Sequence, residues 1–208
     1  MKAAIRVAVD AVASVDPVMA GLVESLPPPQ LAGRRTGKSR FEDLAEAICY
    51  QQLAGKAAQA IWRRAQAAVG DEFTPDAVLA AGYDALRAAG FSNAKALSVL
   101  DLAAHVHRGD VVLDRIGRLD DDAIVRELTQ VRGIGRWTAE MFLIFNLQRL
   151  DVWPVGDLAV RAGWAKAYDL ATVPTPKELD PLAEPFRPYR TVVAWYCWRT
   201  TNVVVPGS

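Results

Sequence analysis

Two cysteines in 208 residues, Cys49 and Cys197, are too few for a disulfide framework, a four-cysteine iron–sulfur cluster or a cysteine zinc site. A reducing cytoplasm is the expected location. No apolar run approaches the roughly 18–20 residues that a bilayer-crossing helix requires, so no membrane association is expected. The opening Met1-Lys2-Ala3-Ala4-Ile5-Arg6 lacks the continuous apolar stretch of a secretory signal. Histidine is scarce. His105 and His107 stand two apart with no third ligand beside them, and read as surface residues of a helix rather than as a metal site. Net charge is missing as well: 24 basic and 24 acidic residues cancel, which weighs against a strongly basic nucleic-acid binder. Alternating strand patterns, internal repeats and low-complexity tracts are also absent.

What is present is helix. Hydrophobic residues make up 51% and charged residues 23%, an ordinary globular balance with ample chain to bury a core. Helical segments are expected over residues 5–14, 17–26, 41–50, 56–69, 77–81, 83–89, 92–107, 119–129, 136–147, 157–168, 176–184 and 189–201, so the fold class is all-α. Caps and breakers mark many of the ends. Asp16-Pro17 separates the first two helices, Pro27-Pro28-Pro29 stops the second, and Thr74-Pro75 and Ser92 open later ones. Basic residues cluster without acids among them at Arg34, Arg35, Lys38 and Arg40, at Lys56, Arg63 and Arg64, and at Arg187, Arg190 and Arg199. These are solvated helix faces, or parts of one basic surface if the fold brings them together.

Residues 128–157 carry the chemistry. Leu-Thr-Gln-Val-Arg-Gly-Ile-Gly-Arg-Trp-Thr-Ala-Glu reads as helix, tight turn, helix. Gly133 and Gly135 are expected to supply positive φ or close backbone approach in that turn. The N–H groups that open the second helix form an anion site able to hold a phosphate without reading sequence. An isolated Gly-x-Gly would be no more than an ordinary helical hairpin. Trp153-Pro154-Val155-Gly156-Asp157 then places a carboxylate at the start of another helix, 22 positions after Gly135, where the helix dipole favours a negative charge. By itself, Asp157 would be no more than a helix cap.

The fuller pattern resembles the helix-hairpin-helix of the base-excision DNA glycosylase superfamily, and within it the AlkA-like 3-methyladenine DNA glycosylase II branch. Gln51-Gln52-Leu53 with Lys56-Ala57-Ala58 resembles that branch's Gln-Gln loop. Gly90-Phe91-Ser92-x-x-Lys95-Ala96, and Pro188-Tyr189-Arg190 with Ala194-Trp195-Tyr196-x-Trp198-Arg199, resemble two further signatures in family order. The resemblance runs from Phe41 to Arg199 and touches the first forty residues little. It implies a two-lobed helical fold with a cleft between the lobes, in the compact form lacking an N-terminal sheet domain. One lobe is expected from 1–40 with 148–208. The other spans 41–147 and contains the hairpin at 128–147.

Residue by residue, the resemblance assigns Asp157 as the catalytic carboxylate. It would stabilise the oxocarbenium-like sugar and direct the attacking water. One carboxylate suffices because an alkylated purine is already a cationic leaving group. Trp137 stands where strand-cutting members carry a lysine, so no amine is placed for Schiff-base chemistry and a monofunctional hydrolase is expected. Trp137, Met141, Phe186 and Tyr50 would line the base pocket, aromatic faces suiting a cationic purine. Met141 and Phe186 are smaller or less aromatic than the branch often has, which leaves the lesion range open. Of the chain's six tryptophans, most are expected in the core.

Gln52 occupies the wedge position that fills the gap left by an extruded base. Gln51, Lys56, Gly133, Gly135, Arg136 and Thr138 complete the DNA contacts that the resemblance implies. Ala54 replaces a serine common in the branch. Family hairpins also bind a monovalent cation, sodium or potassium, through main-chain carbonyls; by position these are Thr129, Val131 and Ile134. No cofactor is expected for catalysis. The implied partner is double-stranded DNA carrying a damaged base, and the implied state is a monomer. Two alternatives remain: the same fold directed at uracil, hypoxanthine or an oxidised purine, and a noncatalytic helix-hairpin-helix scaffold.

Overall fold

The computed structural model describes residues 3–31, 37–70 and 72–201, and among these the regular structure is helical, with no strand. Arg34 and Arg35 of the first basic cluster lie outside the described residues. In chain order the helices are α1 (Ala3–Val15), α2 (Pro17–Ser25), α3 (Arg40–Tyr50), α4 (Gly55–Val69), α5 (Pro75–Ala89) and α6 (Asn93–Arg108). They continue as α7 (Asp121–Leu128), α8 (Arg136–Met141), α9 (Leu158–Ala167), α10 (Pro176–Leu179) and α11 (Arg190–Thr200). Ile116–Arg118 and Asp180–Phe186 form 3-10 turns, and Phe142–Asn146 is wound as a π-helix.

Local side-chain chemistry sets most of the starts. Asp16, Ser39, Thr74, Ser92 and Asp120 each accept a hydrogen bond from the backbone N–H three residues on, at 2.7–3.3 Å. Each such cap contributes about 1 kcal/mol. Because Asp120 serves as the cap, α7 begins at Asp121 instead of at Leu119. The two segments expected at 77–81 and 83–89 are joined as α5 but broken at Gly82, whose φ of 75° is not helical. The single helix expected over 176–184 is not formed. Pro181 and Pro185 lack the N–H that an α-helical ladder needs, and the chain tightens into a 3-10 turn through Phe186. The helix after the hairpin also departs from expectation. It is α-helical only to Met141, then widens, with Leu147 N donating to Phe142 O at 3.1 Å and Gln148 ending it at φ 58°.

The chain divides into two compact units, Met1–Arg34 with Glu140–Ser208, and Arg35–Ala139. In the first, α11 is the central helix. Every residue from Arg190 to Trp198 is buried, as expected of a helix surrounded by packing on all sides. α1, α2, α9 and the 180–186 turn pack against it. α9 comes so near that a Cβ at Gly163 would collide with the carbonyl oxygen of Cys197 and sit 2.8 Å from its Cα. In the second unit α3 packs on α4 and α6, and α5 on α4 and α6, around Leu44, Ile48, Leu86, Val99 and Leu102. Burying each such aliphatic side chain contributes about 1.5–3 kcal/mol. Phe73 adds an aromatic cluster, 4.7 Å from Trp62 and 6.0 Å from Phe41 between ring centres.

Candidate functional site

The hairpin belongs to the second unit. After α7, Val131 N donates to Leu128 O and Ile134 N to Val131 O, both at 3.1 Å, which closes the turn. Gly133 adopts φ 77°, and a Cβ there would run into Ser98 Oγ while lying 2.9 Å from Ser98 Cβ. Left-handed backbone and close approach therefore both require glycine at this position. Gly135 is different. Its φ is not left-handed, and a Cβ added to it meets nothing within 4 Å. The expectation that both glycines serve the turn is corrected at Gly135, since none of the described residues demands a glycine there. α8 starts at the next residue, Arg136, and Ala139 N returns to Gly135 O at 3.1 Å.

Two segments converge on this hairpin, the Gln-Gln loop and α6. Gln51 Nε2 donates to Gly133 O at 3.1 Å and to Thr138 Oγ1 at 3.4 Å, which ties the Gln-Gln loop to the turn and to α8. Gln51 is thereby a structural link, and Thr138 is buried beneath it. Asp101 Oδ2, on α6, accepts from Arg132 N at 2.8 Å. Lys95 Nζ, also on α6, donates to Cys49 O at 2.8 Å and to Gln51 O at 2.5 Å. Burial lowers the Lys95 pKa below the usual lysine value, with Cys49 pulling the other way. Burial likewise pushes the Cys49 thiol up to about 11. Gln52 is exposed and adopts φ 56°, and Leu53 beside it is exposed too. Tyr50 is half-buried, and Lys56 is exposed in the first turn of α4. That helix starts without a side-chain cap because Ala54 has no oxygen to offer.

The first unit holds Asp157. Two tight turns lead to it, with Val155 N donating to Trp153 O and Asp157 N to Pro154 O, each at 2.9 Å. The carboxylate caps α9: its Oδ1 accepts from Ala159 N at 2.7 Å and Val160 N at 3.1 Å, and the residue is 9% exposed. The preceding segment is fastened to the start of α11. Thr191 Oγ1 donates to Arg149 O and accepts from Val152 N, both at 2.9 Å, and Thr191 N donates to Leu150 O at 3.0 Å. Asp151 binds Arg190 Nε at 2.8 Å and Nη2 at 3.0 Å, and also Arg187 Nη1 at 2.8 Å. Burial works to raise the Asp151 carboxyl, but the Arg190 hydrogen bonds and charge outweigh it and hold the group below the usual aspartate value. These contacts span 36 to 42 positions of sequence, and no local pattern announces them.

The residues proposed for the base pocket have different surroundings. Phe186 and Met141 are buried. Phe186 meets Trp164 edge-on at 6.3 Å, and Trp164 in turn meets Trp153 at 5.7 Å and stacks on Tyr168 at 4.3 Å. Sequence reasoning missed Trp164 as the hub of this cluster. Trp137 is 42% exposed, whereas the other five tryptophans are at most 7% exposed.

The basic clusters are largely engaged within the chain. Lys38 pairs with Glu46 at 2.6 Å and lies 5.6 Å from the Trp62 ring centre, and Arg40 donates to Leu113 O and Asp114 O. Arg64 donates to Ala89 O, and Arg187 and Arg190 are held by acids. Arg63 and Lys56 are exposed. His107 is a surface residue, 2.6 Å from Asp76. His105 departs from the surface reading. Its side chain is mostly buried between Asp101 and Asp110, at 3.6 and 3.3 Å. Among the described residues no group of three or more His, Cys, Asp or Glu could hold a metal. No described helix is long and apolar enough to cross a membrane.

Residues 45–188 match the family described as HhH-GPD superfamily base excision DNA repair protein. The DNA-3-methyladenine glycosylase 1 of Schizosaccharomyces pombe is 37% identical over 169 residues, which cover 80% of this chain and 74% of that protein. The solved structure of a 3-methyladenine DNA glycosylase from the same yeast, in complex with abasic DNA, superposes with a TM-score of 0.80 at 32% identity, covering 95% of this chain and 97% of that one. A DNA-3-methyladenine glycosidase structure from Bacillus halodurans gives a TM-score of 0.85 at 30% identity, covering 94% and 89%. With a helix-hairpin-helix whose turn glycine is required by the fold, and with that match over more than half its length, the chain belongs to the HhH-GPD superfamily of base excision DNA repair proteins.

Proposed function

We propose that the protein is a monofunctional DNA glycosylase that hydrolyses the N-glycosidic bond of alkylated purines, of the 3-methyladenine and 7-methylguanine type, in double-stranded DNA. The observation that carries this reading is Asp157, a nearly buried carboxylate whose Oδ1 is fixed by two backbone N–H donors at the head of α9. A carboxylate so held costs little reorganisation when charge develops beside it. Similarity to relatives named for 3-methyladenine supports the substrate class.

In this mechanism the damaged base leaves the stack, at a cost of a few kcal/mol, and Gln52 fills the gap. Its left-handed backbone and exposure suit a residue that projects from a short loop. The C1′–N bond breaks with its electron pair going to the base, which departs neutral because alkylation had made it cationic. Asp157 stabilises the positive sugar and takes a proton from the water whose oxygen bonds to C1′, leaving an abasic site. Trp137, Met141, Phe186 and Tyr50 are the residues proposed to contact the base. The hairpin anchors the phosphodiester through Gly133, Gly135, Arg136 and Thr138, with Gln51 on the neighbouring loop and Lys56 in the first turn of α4. Open space beside Gly135 supports this, because a phosphate can approach the main chain there.

The carbonyls of Thr129, Val131 and Ile134 would hold a sodium or potassium ion shared with that phosphate. The turn fits such an ion: the Val131 carbonyl accepts one hydrogen bond, from Ile134 N, and a carbonyl oxygen has a second lone pair. The chain would act as a monomer and needs no cofactor for the bond cleavage. The deciding experiment is a panel of single-lesion duplexes. Release of 3-methyladenine or 7-methylguanine by the wild type, and its loss in Asp157→Asn, is the expected result. Release of uracil, hypoxanthine or an oxidised purine instead would move the lesion. No release of any base would leave a DNA-binding scaffold.

A further inference from the structure

One face of α6 reaches both parts of the proposed DNA-contacting surface of its unit. Lys95, Ser98 and Asp101 follow at intervals of three, so they share a side of the helix. Ser98 lies directly beneath Gly133, and Asp101 takes the Arg132 N–H, so the middle of the face supports the hairpin. Lys95 supports the loop. Its ammonium group bonds the carbonyls of Cys49 and Gln51, one in the last turn of α3 and one just beyond it. Helix ends leave such carbonyls in need of donors, and a cation there also suits the helix dipole. Immediately after these two anchored carbonyls the chain turns through Gln52 at φ 56°. The Gln51 side chain then bonds Gly133 O, so loop and hairpin are joined both directly and through α6.

We infer that Lys95 is a positioning residue for base extrusion: by clamping the carbonyls of Cys49 and Gln51 it holds the Gln52 loop in fixed register with the hairpin that grips the backbone. This rests on the proposed glycosylase function, in which Gln52 fills the vacated stack. The clamp makes docking and wedging one rigid event. A hairpin seated on a phosphate fixes where the wedge enters the duplex, with no separate ordering of the loop. Lys95 touches neither the DNA nor the base in this scheme. Its ammonium group is part-buried against the two carbonyls, and that partial burial lowers its basicity.

The test compares Lys95→Met with wild type and with Lys95→Arg. Three quantities are measured: hydrogen exchange of the amides of residues 51–54, affinity for undamaged duplex, and single-turnover excision of 7-methylguanine. In K95M the loop amides exchange faster, duplex affinity is unchanged, and excision falls roughly 100-fold, the scale of an ångström-level misplacement. K95R retains a cation and restores most of the rate. Should K95M fail to fold, Lys95→Gln, which keeps donors without the charge, carries the same expectations. Unaltered excision, or equal losses of affinity and excision, overturns the positioning role. A wild type that releases no alkylated base overturns the proposed function instead, and the exchange measurement then decides by itself whether Lys95 holds the loop.

Discussion

Asp151 grips Arg190 with both carboxylate oxygens, Oδ1 at 2.8 Å from Nε and Oδ2 at 3.0 Å from Nη2, and this pair fastens the segment leading to Asp157 onto the first turn of α11. Arg190 is buried, and without the Asp151 charge its guanidinium would keep only the longer contact to Glu184, at 3.5 Å. Asp151→Asn should lower unfolding stability at pH 7 by about 2–4 kcal/mol, measured by chemical denaturation. The pH dependence has a definite sign. Because the folded-state carboxyl lies below its unfolded value, its contribution is present above about pH 4 and is lost as the pH falls through the depressed value. The gap between wild type and D151N should therefore close on acidification below that point. A gap that stays constant would show that the pair does not act through its charge.

Asp157→Asn separates capping from chemistry. Asparagine caps a helix about as well as aspartate, because its carbonyl oxygen can accept the same two N–H bonds. Thermal stability should move by less than about 0.5 kcal/mol. Loss of the negative charge beside the developing cation should lower single-turnover excision by about 10²–10³-fold. A variant that loses rate only in proportion to stability would return Asp157 to a purely structural role.

Trp137 offers no amine to the sugar. The product of wild-type reaction should be an intact strand with an abasic site that alkali cleaves, and borohydride should trap no protein–DNA adduct. Strand scission without alkali, in protein free of contaminating nucleases, would require an amine elsewhere in the chain.

Gly133→Ala should be costly before any DNA is added. It meets a left-handed backbone, and its new methyl would press on Ser98. The two effects together predict about 2–4 kcal/mol of destabilisation, read by denaturant titration. Gly135→Ala should leave that titration unchanged and instead weaken duplex binding. If both variants unfolded alike, the distinction drawn from their surroundings would be mistaken.

Much of this architecture was legible because much of it is local. Asp16, Thr74 and Ser92 mark helix starts by the reach of a short side chain to a nearby N–H, and such bonds are written in adjacent letters. The family motif likewise pointed to Gly133 and Asp157. What escaped the sequence spans distance. Lys95 reaches carbonyls 44 and 46 positions away, Thr191 fastens a segment 39 and 42 away, and Trp164 becomes the hub of a cluster that includes Phe186. Nothing in the composition of residues 142–146 announces a π-wound turn either, since no proline or glycine stands there. The basic clusters misled in the opposite direction. Charges that looked available in the sequence, such as Lys38 and Arg40, hold the fold together.

The contrast between Trp137 and its five enclosed counterparts gives the molecule an optical consequence. Indoles in a protein interior emit towards the blue and are shielded from quenchers, whereas one that meets water emits further to the red and is readily quenched. The red edge of the emission therefore reports on one side chain, next to the hairpin turn, without any label. Anything that settles against that turn dries this indole and changes its colour, so the protein signals its own engagement in the light it gives off.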